Sequence, residues 1–133
     1  MRPGRPLRDT GYVTVFTLGV SMALVSVVGL VHDGGRAQRA QIDAFGAAAA
    51  ASRAGAQQLD PLAAVNGEVR LDPALAEEAV RSFLAPHRLT VTVTVTDTHV
   101  TVTVRRHLDY LILPGGTDLD ATATTRITQE RAP

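Results

Sequence analysis

GYVTVFTLGVSMALVSVVGLVHDGGR, residues 11–36, is the stretch whose reading decides the fold. No charged side chain stands between Asp9 and Asp33. Residues 12–31 form a run of about twenty apolar or small residues, which at 1.5 Å rise per residue reaches roughly 30 Å, the hydrocarbon thickness of a bilayer. Thr14, Thr17, Ser21 and Ser26 interrupt the run without breaking it, because a helical hydroxyl can return its proton to a backbone carbonyl one turn earlier. The run is longer than the apolar region of a secretory signal, and LVHDGGR lacks a small-residue cleavage site, so a retained anchor is expected rather than a cleaved signal. A soluble core helix is not expected either: the segment is apolar on every side, and nothing else in the chain is large enough to bury it.

Outward from the run, Arg2, Arg5 and Arg8 precede it, and Arg36 and Arg39 follow. The short arginine-bearing leader, residues 1–11, is expected in the cytoplasm, with the chain after the span, residues 12–32, outside. The chain has 133 residues, room for one small domain beside the span. Its formal charge is zero, so nucleic acid exerts no global attraction. There is no Cys, which removes disulfides, thiolate nucleophiles and thiolate metal sites. With few aromatic residues the core must come from Val, Leu and Ala.

Residues 36–59, RAQRAQIDAFGAAAAASRAGAQQL, are rich in strong helix formers. The helix is expected to leave the membrane, bend at Gly34-Gly35 and continue as an extracytoplasmic extension over residues 33–59. Its apolar positions include Ile42, Phe45, Ala49, Ala56 and Leu59. The alanines at 47–51 give a narrow face that admits close approach. Asp60-Pro61 is read as its stop, and residues 62–71 as a loop turning at Asn66-Gly67.

Residues 60–133 are expected to be a small αβ head. Asp72-Pro73 reads as an N-cap followed by proline at the first helical position, opening a helix over 73–85. Glu77 and Arg81 stand at the favourable i,i+4 spacing, and Leu75, Ala76, Ala79, Val80, Phe83 and Leu84 make its buried stripe. LTVTVTVTDTHVTVTVRR, residues 89–106, alternates strictly with period two. A turn at Asp97-Thr98 pairs Val91 with Val104, Val93 with Val102 and Val95 with Val100, so that all six valines share one face. Residues 119–128 alternate again, as a third strand. The predicted fold class is α+β: an N-terminal transmembrane helix extended outside, a second short helix and a three-stranded antiparallel sheet.

This order of elements resembles the TadE/TadG-like proteins of the Tad (Flp) pilus machinery, in the form found in high-GC actinobacteria. Asp33-Gly34-Gly35-Arg36 is similar to that family's membrane exit. Residues 41–56, from QIDAFG into the alanine stretch, and the closing LDATATTRIT are similar to its later segments. The resemblance implies a pilin-like arrangement of these elements and a membrane-anchored minor pilin or pseudopilin, or an assembly factor, structural and without catalysis. Its partners would be other pilin-like subunits and the assembly platform. It also implies a possible processing site at Gly11 and Tyr12, since a prepilin peptidase cuts after a glycine at the cytoplasmic edge. Pilins carry a Glu five residues beyond that glycine; this chain has Phe16. A buried Glu pairs with a neighbour's new N-terminal amine, and Phe16 cannot. A role that stays in the membrane, or entry at one special place, follows more readily than bulk polymerisation. The rival reading is a generic membrane-tethered envelope scaffold unrelated to pili.

The remaining residues offer little chemistry. His32 and Asp33 are read with Gly34, Gly35 and Arg36 as the water boundary at the membrane exit rather than as a metal pair. His99 and His107 lie about 27 Å apart on a straight strand, too far to share an ion. Glu77 and Glu78 are adjacent on a helix and do not converge. No acid, base and nucleophile can be assembled by spacing, and no cofactor, metal or small-molecule substrate is expected. Gly19 and Gly29 are candidate helix-packing positions, where the absence of a side chain admits a neighbouring helix.

Overall fold

The computed structural model describes residues 9–127. The leader arginines Arg2, Arg5 and Arg8 and the polar tail after Ile127 lie outside the described residues. The elements run in chain order as α1 (Asp9–Ala56), α2 (Pro61–Val65), α3 (Pro73–Leu84), a 3-10 turn (Ala85–His87), β1 (Thr90–Val95), β2 (His99–Asp109) and β3 (Gly116–Arg126).

Helix α1 has 48 residues and runs without a break through Gly34-Gly35, where the sequence leads one to expect a bend. Each glycine weakens a helix by about 1 kcal/mol relative to alanine. Contacts on both sides of the pair offset this: the 110–115 loop packs below it at Gly29, and the sheet packs above it from Ala40 onward. The head seats itself on a stripe of small residues. Gly29, Asp33, Ala40, Ala44, Ala48, Ala51 and Gly55 are all buried on one side of α1. Spacings of three, four and seven keep them on one face. At Gly55 the approach is closest: a Cβ there would come within 2.9 Å of Val80 Cγ2 and 3.1 Å of Val100 Cγ1. The larger apolar positions named from the sequence fall elsewhere, with Ile42 67% and Phe45 55% exposed.

Asp60-Pro61 does more than stop a helix. Asp60 caps α2, its carboxylate accepting from the N–H of Leu62 at 2.9 Å and of Ala63 at 3.3 Å. The segment expected to be all loop therefore contains a short helix before the turn at Asn66-Gly67, where Gly67 adopts φ +78°. Asp72 caps α3 as expected, accepting from Ala74 and Leu75 N–H at 2.9 and 3.1 Å, with Pro73 at the first helical position. Arg81 donates to Glu77 at 2.6 Å. Of the expected stripe, Ala76, Val80 and Leu84 are buried. Leu75 and Phe83 remain exposed, because the helix meets α1 and the sheet over a strip only one side chain wide.

The sheet order is β1-β2-β3, antiparallel throughout. Val91, Val93 and Val95 pair with Val104, Val102 and Val100 in the register that alternation dictates. The three β2 valines are fully buried under α1 and α3, each contributing about 1.5–3 kcal/mol of apolar transfer. The hairpin loop avoids positive φ: among the described residues Arg88 is the one non-glycine with it. Thr96 closes the loop instead, its N–H donating to His99 O at 2.9 Å and its Oγ1 accepting from His99 N–H at 3.1 Å. β2 continues past the threonines to Asp109, and β3 begins at Gly116 rather than at Leu119.

Candidate functional site

The described chain offers two surfaces on which a function can rest: the exposed apolar side of α1, and the place where the head grips that helix. Among the described residues one helix, over Gly11–Ala56, is long and apolar enough to cross a membrane. From Tyr12 to Val31 nearly every side chain is exposed. Within the run Ser26 Oγ donates to Met22 O at 2.8 Å, the internal hydroxyl bond expected of a lipid-compatible helix.

Gly11 and Tyr12 lie near the start of α1 and are exposed. Gly19 has nothing of this chain within 4 Å of where a Cβ would stand. Gly29 differs. A Cβ there would lie 2.9 Å from Ile112 Cγ2 and 3.4 Å from Leu113 Cδ2, so its missing side chain admits the chain's own loop.

One turn above Gly29, Asp33 makes the contacts that define the grip. Its carboxylate accepts the backbone N–H of Leu111 at 3.1 Å, Ile112 at 3.0 Å and Leu113 at 2.9 Å. The side chain is 1% exposed. Burial pushes its pKa up, but the three amides, helped by the charge of neighbouring His32, more than offset this, and the carboxyl sits below its ordinary 3.8. Arg36 adds an Nη1–Oδ1 approach of 3.9 Å from the water side. His32 and Gly34 are exposed, and Gly35 and Arg36 are half-buried. Asp33 is thus a clamp on a loop far along the chain. Sequence reasoning missed this because its partners lie up to 80 residues away. The one hint was YLILP at 110–114, an apolar run without alternation that no strand explains.

The rest of the helix–head seam is polar in small amounts. Ser52 Oγ meets Thr125 Oγ1 at 2.6 Å, and Gln41 Nε2 donates to Asp120 O at 2.9 Å. Across the outer face of the sheet runs a ladder: Thr101 with Thr124 and Thr103 with Thr122, both at 2.9 Å, then Arg105 with Asp120 at 2.7 Å. Arg105 is thus paired across from β2, the central strand, to Asp120 on β3. The ladder ends at His107, whose Nδ1 lies 2.6 Å from Asp118 and Nε2 3.3 Å from Asp109. The hydrogen bond to Asp118 raises the imidazole pKa above its ordinary 6.5, against a smaller opposing effect of burial. His87 stacks on Phe83 with ring centroids 6.2 Å apart. Among the described residues no cluster of His, Asp and Glu is arranged to hold a metal.

Comparison with curated proteins and with solved structures found no match. The stem gives one. Residues 11–58, which are α1 from Gly11 onward with the two residues that follow it, match the family described as putative Flp pilus-assembly TadE/G-like, so the likeness lies in the part of the chain that is long and apolar enough to cross a membrane and that bears the head.

Proposed function

We propose that this protein is a membrane-anchored, non-catalytic subunit of a Tad (Flp) type pilus system, a minor pilin or an assembly factor. Its N-terminus lies in the cytoplasm and its head outside. The observation that carries this is the coincidence of the TadE/G-like match at 11–58 with a single unbroken helix that is apolar at one end and seats the head at the other. Such a helix transmits position from the bilayer to the head without a hinge. Its outward side keeps Ile42 and Phe45 exposed beyond the apolar run, where water should disfavour them. These side chains, and Gly19 within the membrane, are offered to helices of other pilin-like subunits and of the assembly platform.

Phe16 lacks the carboxylate that would pair with a neighbouring amine, and this favours a fixed or singular position over bulk polymerisation. The test is deletion of the gene, with complementation, scored by surface pili. Loss of assembly with normal levels of the major pilin supports the reading. Unchanged piliation contradicts it and leaves a generic envelope tether. Intact mass of the native membrane form then separates the two versions. A chain beginning at Tyr12 is a processed pilin-like subunit, and one retaining the leader is a permanent anchor.

A further inference from the structure

We infer that residues 110–114 form a lipid-seated foot, a loop of the head that enters the outer interfacial zone of the bilayer beside the span. The inference rests on α1 crossing the membrane, and it adds a second membrane contact made by the other end of the chain.

Depth comes first. Ile112 rests on Gly29, two residues inside the end of the apolar run at Val31. Gly29 lies about 6 Å along the helix axis below Asp33, by the rise per residue. A loop in van der Waals contact with Gly29 therefore stands at the level of the outer hydrocarbon boundary. Composition agrees with that depth. Between Asp109 and Asp118 the chain reads YLILPGGT, without a charge. Leu111 is 71% and Ile112 44% exposed, at the level where Val28, Leu30 and Val31 are also exposed. Tyr110 stands at the neck of the loop, an amphipathic ring suited to the headgroup zone.

The backbone supplies an independent reason. A loop tip in water can leave its amides to solvent, whereas a loop in lipid must satisfy them within the protein. Here the N–H groups of Leu111, Ile112 and Leu113 all go to the buried Asp33 carboxylate. Pro114 has no N–H, and the N–H of Tyr110 goes to Gly115 O at 3.0 Å. Gly115 turns the chain back with φ +108°. Residues 110–114 thus present no unsatisfied backbone N–H to whatever surrounds them. Among possible occupants, lipid is favoured because this surface continues the apolar belt of the span, and no charge on the loop would select a protein partner.

The chain contains no Trp, so a single introduced indole reports its own surroundings. The full chain carrying Leu111→Trp would be reconstituted in phosphatidylcholine vesicles, either plain or brominated high on the acyl chain or near its end. Leu24→Trp marks the middle of the span, and Thr122→Trp marks the outer face of the sheet. The expected result is blue-shifted emission from Leu111→Trp, losing roughly half its intensity to the shallow bromines and less to the deep ones. Leu24→Trp should respond chiefly to the deep bromines and Thr122→Trp to neither. Unquenched, water-like emission from Leu111→Trp beside a quenched Leu24→Trp overturns the foot and leaves the span standing. Blue-shifted but unquenched emission means that protein, such as a second copy, covers the loop, and also overturns it. If neither Leu111→Trp nor Leu24→Trp is quenched, the span itself is wrong.

Discussion

Asp33 accepts the backbone N–H of Leu113 at 2.9 Å, joining the end of the apolar run of α1 to a loop that follows 80 residues later. That bond and its two neighbours make the head part of the stem's outer end rather than a domain hung from it. Replacing Asp33 should therefore free the loop while leaving the sheet folded. Asp33→Ala is expected to speed hydrogen exchange at the amides of Leu111, Ile112 and Leu113 by roughly ten- to hundredfold, since each loses a buried acceptor. Asp33→Asn, which keeps one carbonyl oxygen, should fall between. Unchanged exchange in Asp33→Ala would mean that the loop is held by Gly29 and Ile112 alone.

Two glycines in α1 should respond with opposite sign. At Gly55 a Cβ meets Val80, Val100 and the carbonyl of Ala76, so Gly55→Ala should cost about 1–3 kcal/mol through overpacking. At Gly46 nothing lies within 4 Å, and Gly46→Ala should stabilise by about 0.5–1 kcal/mol through helix propensity alone. Thermal unfolding in detergent measures both.

In α3 the sequence pattern assigns Leu84 and Leu75 to one stripe, but the fold separates them. Leu84→Ala should cost about 2–5 kcal/mol, because it opens a cavity under the sheet. Leu75→Ala should stay within about 0.5 kcal/mol, as expected of an exposed position. Equal losses, measured by denaturant unfolding, would place both side chains in the core.

His107 gives the far end of the sheet a pH dependence. Its folded pKa is raised above 6.5, so its contribution is complete below that value and fades as pH rises through the folded pKa. Wild type should lose stability relative to His107→Gln on passing from mildly acidic to alkaline pH. Asp33, Asp60 and Asp120 act oppositely. Their folded pKa values lie below 3.8, so their contributions hold above that value and vanish as pH falls through the folded ones. Melting curves across pH separate the two effects.

Legibility in the sequence followed locality. The valine–threonine alternation specified strand, face and register together, because slipping by one residue would turn every valine outward. Asp72-Pro73 and the Glu77–Arg81 pair act over three or four residues and could be read directly. Asp60-Pro61 was legible only in half, since one pair both follows a helix end and caps the next helix. The seat of the head on α1 was visible as a narrow alanine face at 47–51, but its extent from Gly29 to Gly55 was not. Which side of an alanine helix is buried depends on where the sheet lies, and the sheet chose the small residues over Ile42 and Phe45. The role of Asp33 had no local signature at all.

The central claim is that the outward side of the stem meets other helices in the membrane system. The chain has no Cys, so Ile42→Cys and Phe45→Cys place single thiols on that side. In native membranes, a short thiol-specific crosslinker should join both variants to a partner that itself carries an N-terminal membrane helix, while Thr122→Cys on the sheet ladder stays uncrosslinked. Equal adducts at all three positions, or none at Ile42 and Phe45, would contradict a stem-packing subunit.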